Sequence, residues 1–133
     1  MISKQKMLSL LEEAKAASQT AYAPYSGFPV GAAVLMDDES VYLGANVENA
    51  SYGLTICAER VAICNAVTKG SKKIVAIAIF AKNADVTPCG ACRQFIAEFG
   101  QDAEIIYSRG QEVVAMSIRD LLPDSFSGKE LNR

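Results

Sequence analysis

Cys57-Ala58-Glu59 is followed further along the chain by Pro88-Cys89-Gly90-Ala91-Cys92. Together they offer three thiols and one carboxylate. Three protein ligands leave a tetrahedral zinc ion one open position, the feature that separates catalytic from closed structural zinc. Water can take that position, and a carboxylate that is not itself a ligand, Glu59, is free to move its protons. Cys89 and Cys92 are three apart at the expected start of a helix. That spacing puts both sulfurs on one face, where first-turn amides favour thiolate. Residues two apart within a helix point to different faces. Cys57 must therefore stand at or just before the first turn of its own helix if Glu59 is to share the site. The chain has no histidine, so ligand and general-base duties fall to Cys, Glu or Asp.

Cys64 lies on the same helical face as Cys57 but two turns away, about 10 Å along the axis. A zinc–sulfur bond of about 2.3 Å cannot span that gap. Cys64 is therefore expected to be a small core residue, which disfavours a closed four-thiolate site. Read alone, Cys89-x-x-Cys92 is also a redox dithiol signature, but that reading leaves Cys57 and Glu59 unexplained. Three thiolates around Zn²⁺ sum to a net negative charge, which weakens the ion as a Lewis acid. A guanidinium donating to the sulfurs restores acidity. Arg60 is the first candidate for this and Arg93 the second, with a surface or interface ion pair as the alternative.

The elements that position these residues follow from periodicity and punctuation. Ser3 is a plausible N-cap for a helix whose stripe is Met7, Leu11, Ala14 and Ser18, flanked by Leu10, Ala17 and Ala21, with Pro24 as its stop. Val30 to Met36 and Val41 to Asn46 flank the acidic turn Asp37-Asp38-Glu39-Ser40 and read as a hairpin with a solvated tip. A second helix is expected from Cys57 to Thr68, buried on several sides. Ile74 to Phe80 is an apolar run suited to a central strand. A third helix begins after Pro88 and ends before Gly100. Short strands follow around Glu104 to Tyr107 and Val113 to Met116, with a turn at Ser108-Arg109-Gly110. Ser117 to Asp120 opens a last helix as a capping-box variant. The order αββαβαββα predicts a three-layer α/β/α fold around a five-stranded mixed sheet.

The 133 residues are 50% hydrophobic and 21% charged, with mean hydropathy +0.15. One domain spanning 1–133 is expected, and its apolar richness points to surface buried between subunits. A net charge of −2 and a pI near 5.1 argue against a nucleic-acid partner, which requires a basic stripe. The apolar run from Met7 to Leu11 is broken by Glu12 and Glu13, and no run is long enough for a bilayer. Neither an export signal nor a membrane role is expected. Four cysteines then read as reduced cytoplasmic thiols, which favours metal binding over disulfides.

These motifs together resemble the cytidine deaminase family, in its small three-cysteine zinc branch. The resemblance covers nearly the whole chain. It is carried by Phe28-Pro29-Val30-Gly31-Ala32-Ala33, Asn46-Val47-Glu48-Asn49-Ala50-Ser51-Tyr52, Cys57-Ala58-Glu59-Arg60, Pro88-Cys89-Gly90-Ala91-Cys92-Arg93-Gln94, and Leu121-Leu122-Pro123 with Phe126. It implies zinc-dependent hydrolytic deamination of cytidine and deoxycytidine in pyrimidine salvage, with one zinc per subunit held by Cys57, Cys89 and Cys92 and with Glu59 as proton carrier. It further implies that Asn46 and Glu48 bind the ribose, that Phe28 walls the nucleoside, and that the backbone around Ala58 and Thr87 reads the pyrimidine edge. A homotetramer with shared sites is implied, in which Ala50, Tyr52 and Phe126 reach a neighbour's pocket. On composition alone, Asn46 and Glu48 read equally as turn formers, and Phe28 and Phe126 as core or interface. Tyr22 and Tyr25 read as packing residues. The alternatives are a deaminase of another aminated heterocycle, such as a blasticidin-type nucleoside antibiotic, a polynucleotide-editing deaminase, and a non-catalytic zinc scaffold.

Overall fold

A computed structural model describes residues 1–131. Helix α1 (Lys4–Ser18) begins at the expected cap: the Ser3 hydroxyl accepts from the Lys6 amide at 3.1 Å. It ends at Ser18, short of Pro24. The Ser18 and Thr20 hydroxyls donate back to the carbonyls of Lys15 and Ala17 at 2.6 and 2.8 Å, an arrangement that competes with the helical ladder. Tyr22 is meanwhile drawn into an extended pairing with Val47. Tyr22 and Tyr25 lie at the surface, 55% and 49% exposed, and Tyr25 packs edge-on against Tyr52 with ring centroids 6.0 Å apart.

Strands β1 (Val30–Met36), β2 (Val41–Ala45), β3 (Ile74–Ala81), β4 (Glu104–Arg109) and β5 (Glu112–Ser117) form a five-stranded sheet in the order β2-β1-β3-β4-β5. The β3–β4 pair is parallel and the other pairs are antiparallel. This is the expected mixed sheet, with the apolar β3 at its centre. The β4–β5 turn falls at Gly110–Gln111, one step beyond the expected position, because Gly110 takes a positive φ of 62°.

Alternation along β1 sorts the core into two layers. Ala33 and Leu35 face α1 with Ala76, Ala78 and Ile106. Ala32, Val34 and Met36 face the other way, with Ile77, Ile79 and Ile105, onto α2 (Ala58–Thr68) and α3 (Gly90–Phe99). Fully burying each such isoleucine contributes about 1.5–3 kcal/mol. Two glycines let helices lie almost on the sheet backbone. A Cβ on Gly31 would sit 1.8 Å from the Ala14 carbonyl oxygen of α1, and one on Gly44 2.3 Å from the Ala62 nitrogen of α2.

The acidic hairpin tip is structured. Asp38 accepts from the Ser40 amide and hydroxyl and, at 2.8 Å, from the Ser71 hydroxyl, which ties the β1–β2 turn to the segment before β3. Helix α4 (Ile118–Leu121) is capped by the Ser117 hydroxyl accepting from the Arg119 amide. The reciprocal bond from Asp120 is absent among the described residues. Short 3-10 turns at Tyr52–Leu54 and Gly128–Glu130 were not foreseen. No helix among the described residues is long and apolar enough to cross a membrane.

Candidate metal centre and active site

Cys57 and Cys89 are the N-cap residues of α2 and α3, both in extended backbone, and neither side chain caps its own helix. Their sulfurs are left free to face each other across two helix N-termini. Cys92, one turn into α3, is fully buried. The ligand atoms of Cys57, Cys89 and Cys92 all lie within 4.8 Å of one another. The N-cap position also resolves the tension at Glu59. Cys57 stands outside the helical spacing, so the Glu59 side chain can share its site.

The electrostatics of the cluster are those of a cation site. The Cys92 thiol, hydrogen-bonding to Cys57, holds the Cys57 thiol down to about 5; burial opposes this and Arg60 assists it. The same pairing pushes Cys92 far up, helped by burial and by the Glu59 charge. Three thiols this close cannot all ionise unless a positive charge joins them. Arg60 supplies part of it: Nη2 donates to Cys57 Sγ at 3.6 Å, while its buried Nε has no partner among the described residues. A soft divalent ion that takes thiolates in tetrahedral geometry satisfies such a donor set. Arg93 is engaged elsewhere. It donates to the carbonyls of Pro88 and Leu121, both at 2.8 Å, and so clamps the turn before Cys89 to α4. Cys64 is exposed on the outer side of α2, not in the core as expected, and takes no part in the cluster.

Glu59 is 4% exposed. Burial pushes its carboxyl up, and the nearby Cys57 charge adds to that, against an opposing backbone hydrogen bond. Glu59 lines a cavity of about 210 Å³ together with Phe28, Asn46, Thr55, Cys57, Ala58, Thr87 and Cys89. Asn46 is buried and fully oriented: Oδ1 accepts from the Val30 amide at 2.9 Å and Nδ2 donates to the Phe28 carbonyl at 3.0 Å. Each end keeps one hydrogen-bonding position spare.

Glu48 lies outside this cavity. With Tyr25, Ser26, Asn49, Tyr52 and Thr55 it lines a second hollow of about 240 Å³, and Thr55 lines both. Ser26 is the first cause holding the Glu48 carboxyl below its ordinary value, against slight burial and helped by the Ser26 and Tyr25 amides. Tyr52 and Phe126 are 75% and 60% exposed, and Ala50 is exposed as well. None of the three lines the Glu59 cavity. Thr55 and Ser26 were missed in the sequence. Thr55 had one usable signal, its position two residues before the first thiol.

Residues 4–109 match the family described as the cytidine and deoxycytidylate deaminase zinc-binding region. The chain belongs to this deaminase family. A protein of Halalkalibacterium halodurans named cytidine deaminase is 47% identical over 126 residues, 92% of this chain and 96% of that one. A Dictyostelium discoideum protein named probable cytidine deaminase is 40% identical over 132 residues, 98% of this chain and 90% of its own. The crystal structure of cytidine deaminase from Burkholderia pseudomallei superposes with a TM-score of 0.84 at 45% identity, covering 94% of this chain and all of that one. The deaminase fold and the zinc-fitting thiol cluster therefore occur together in one chain.

Proposed function

We propose that this deaminase converts cytidine and deoxycytidine to uridine and deoxyuridine, releasing ammonia. The observation that carries the reading is the buried Glu59 in one cavity with two of the three clustered thiols. Relatives over most of the chain that are named cytidine deaminases add the substrate.

Cys57, Cys89 and Cys92 hold one zinc ion, which when bound supplies the Lewis acidity that makes water nucleophilic near neutral pH. Arg60 offsets the charge of the sulfurs. Glu59 takes a proton from the attacking water and delivers it to N3 of the pyrimidine, so that C4 becomes electrophilic and bonds to the water oxygen. Glu59 then accepts the remaining hydroxyl proton and passes it to the amino group. The C4–N bond breaks, ammonia departs, and N3 keeps its proton in the uridine. One carboxyl serves both steps because it alternates between base and acid. Phe28 flanks the base, the backbone around Ala58 and Thr87 reads its edge, and Asn46 and Glu48 bind the sugar hydroxyls.

The exposure of Ala50, Tyr52 and Phe126 supports a homotetramer in which these residues complete a neighbour's pocket; a monomer by light scattering contradicts it. Four free thiols fit a cytoplasmic salvage role. The test of substrate is a panel. Cytidine and deoxycytidine are expected to lose their absorbance with equimolar ammonia, and a blasticidin-type nucleoside is expected to react far more slowly. Preference for the antibiotic overturns the reading.

A further inference from the structure

The Glu48 carboxylate is an acceptor with about four lone-pair positions, and the loop before β1 occupies most of them. Oε1 accepts from the Tyr25 amide at 2.9 Å and from the Ser26 amide at 3.1 Å. Oε2 accepts from the Ser26 hydroxyl. The same hydroxyl accepts from the Phe28 amide at 3.0 Å. Ser26 therefore joins Glu48, at the far side of one hollow, to the backbone of Phe28, in the wall of the adjoining cavity. These three contacts leave about one acceptor position, on Oε2, which suits a single hydroxyl donor. Gly27, between the two residues, has a positive φ of 64°, so the loop turns sharply enough for one hydroxyl to serve both.

We propose that Ser26 is a positioning residue for substrate, fixing the rotamer of Glu48 and the placement of Phe28 so that sugar hydroxyl and base are engaged together. This rests on the reading of Glu48 as a sugar ligand. Without the hydroxyl, Glu48 keeps its two amide donors but loses the contact that orients Oε2, and the Phe28 amide loses its acceptor while its carbonyl stays held by Asn46. Chemistry at Glu59 is untouched, so the loss belongs in binding.

The experiment compares Ser26→Ala, Ser26→Thr and Glu48→Gln in the zinc-loaded protein. Steady-state cytidine kinetics are read alongside uridine affinity by calorimetry. Ser26 is exposed, so both substitutions should fold. Ser26→Ala is expected to raise KM and the uridine Kd about ten-fold, as for loss of one charge-assisted hydrogen bond, with kcat within about two-fold; Ser26→Thr keeps the hydroxyl and should restore both. A Ser26→Ala enzyme with wild-type KM beside a Glu48→Gln enzyme with raised KM overturns the role of Ser26 and leaves that of Glu48 standing. A loss confined to kcat also overturns it. Wild-type KM in Glu48→Gln removes the sugar-ligand reading itself, and the Ser26 role with it.

Discussion

A carboxyl group taken out of water holds its proton more firmly, and Glu59 is almost completely buried beside Cys57, whose negative charge adds to the effect. A carboxylate whose proton affinity is raised is a stronger base than an exposed glutamate, and the same carboxyl can return the proton it takes. In the proposed mechanism its neighbours divide the remaining work: sulfurs for the ion, Arg60 for their charge. Glu59→Ala is expected to lower turnover by at least about a thousand-fold while retaining one zinc per chain, measured by cytidine absorbance and metal analysis on the same sample. Turnover near wild type would require another proton carrier. The thiol cluster and Glu59 were legible in the sequence because helix-start spacing and ligand chemistry constrain them tightly. The orientation of Glu48 was not. It depends on a loop far away in sequence, whose amides and hydroxyl no local pattern connects to it.

The elements matter here chiefly as supports for two helix N-termini. Helix α2 brings Cys57 and Glu59 to the cavity only because β2 carries no side chain at Gly44 where the helix backbone passes. Gly44→Ala must displace α2 or distort the strand, at a cost of about 1–3 kcal/mol. Thermal unfolding should show Tm lowered by about 5 °C or more; an unchanged Tm would mean that the packing yields more readily. At the hairpin tip, the Ser40 hydroxyl and amide and then the Ser71 hydroxyl hold the Asp38 carboxyl below its ordinary 3.8. A depressed folded value adds stability above the unfolded value and loses it as pH falls through the folded one. The Tm advantage of wild type over Asp38→Asn should therefore be present at pH 7 and shrink only below about pH 4. An advantage that grows on acidification contradicts this. The succession of strands and helices along the chain and the central place of β3 were readable because the apolar runs and the glycine and proline stops agree. The end of α1 was misplaced because Ser18, Thr20 and the Tyr22–Val47 pairing outcompete the later proline. Cys64 was misassigned because a small apolar residue in a largely buried helix still falls on its outer face.

At the scale of the whole molecule, a central sheet with α1 on one side and α2 and α3 on the other brings distant sequence motifs together around one cavity. The acidic balance and the two adjoining hollows fit a small nucleoside rather than a polynucleotide. The account depends on the thiol cluster and Glu59 acting as a single zinc-dependent unit, and that dependence can be titrated. Zinc added stepwise to chelator-stripped protein should restore the conversion of cytidine to uridine in proportion, reaching a plateau at one ion per chain. Full activity in protein shown to contain no metal, or one tightly held zinc per chain with no conversion of cytidine, would contradict it.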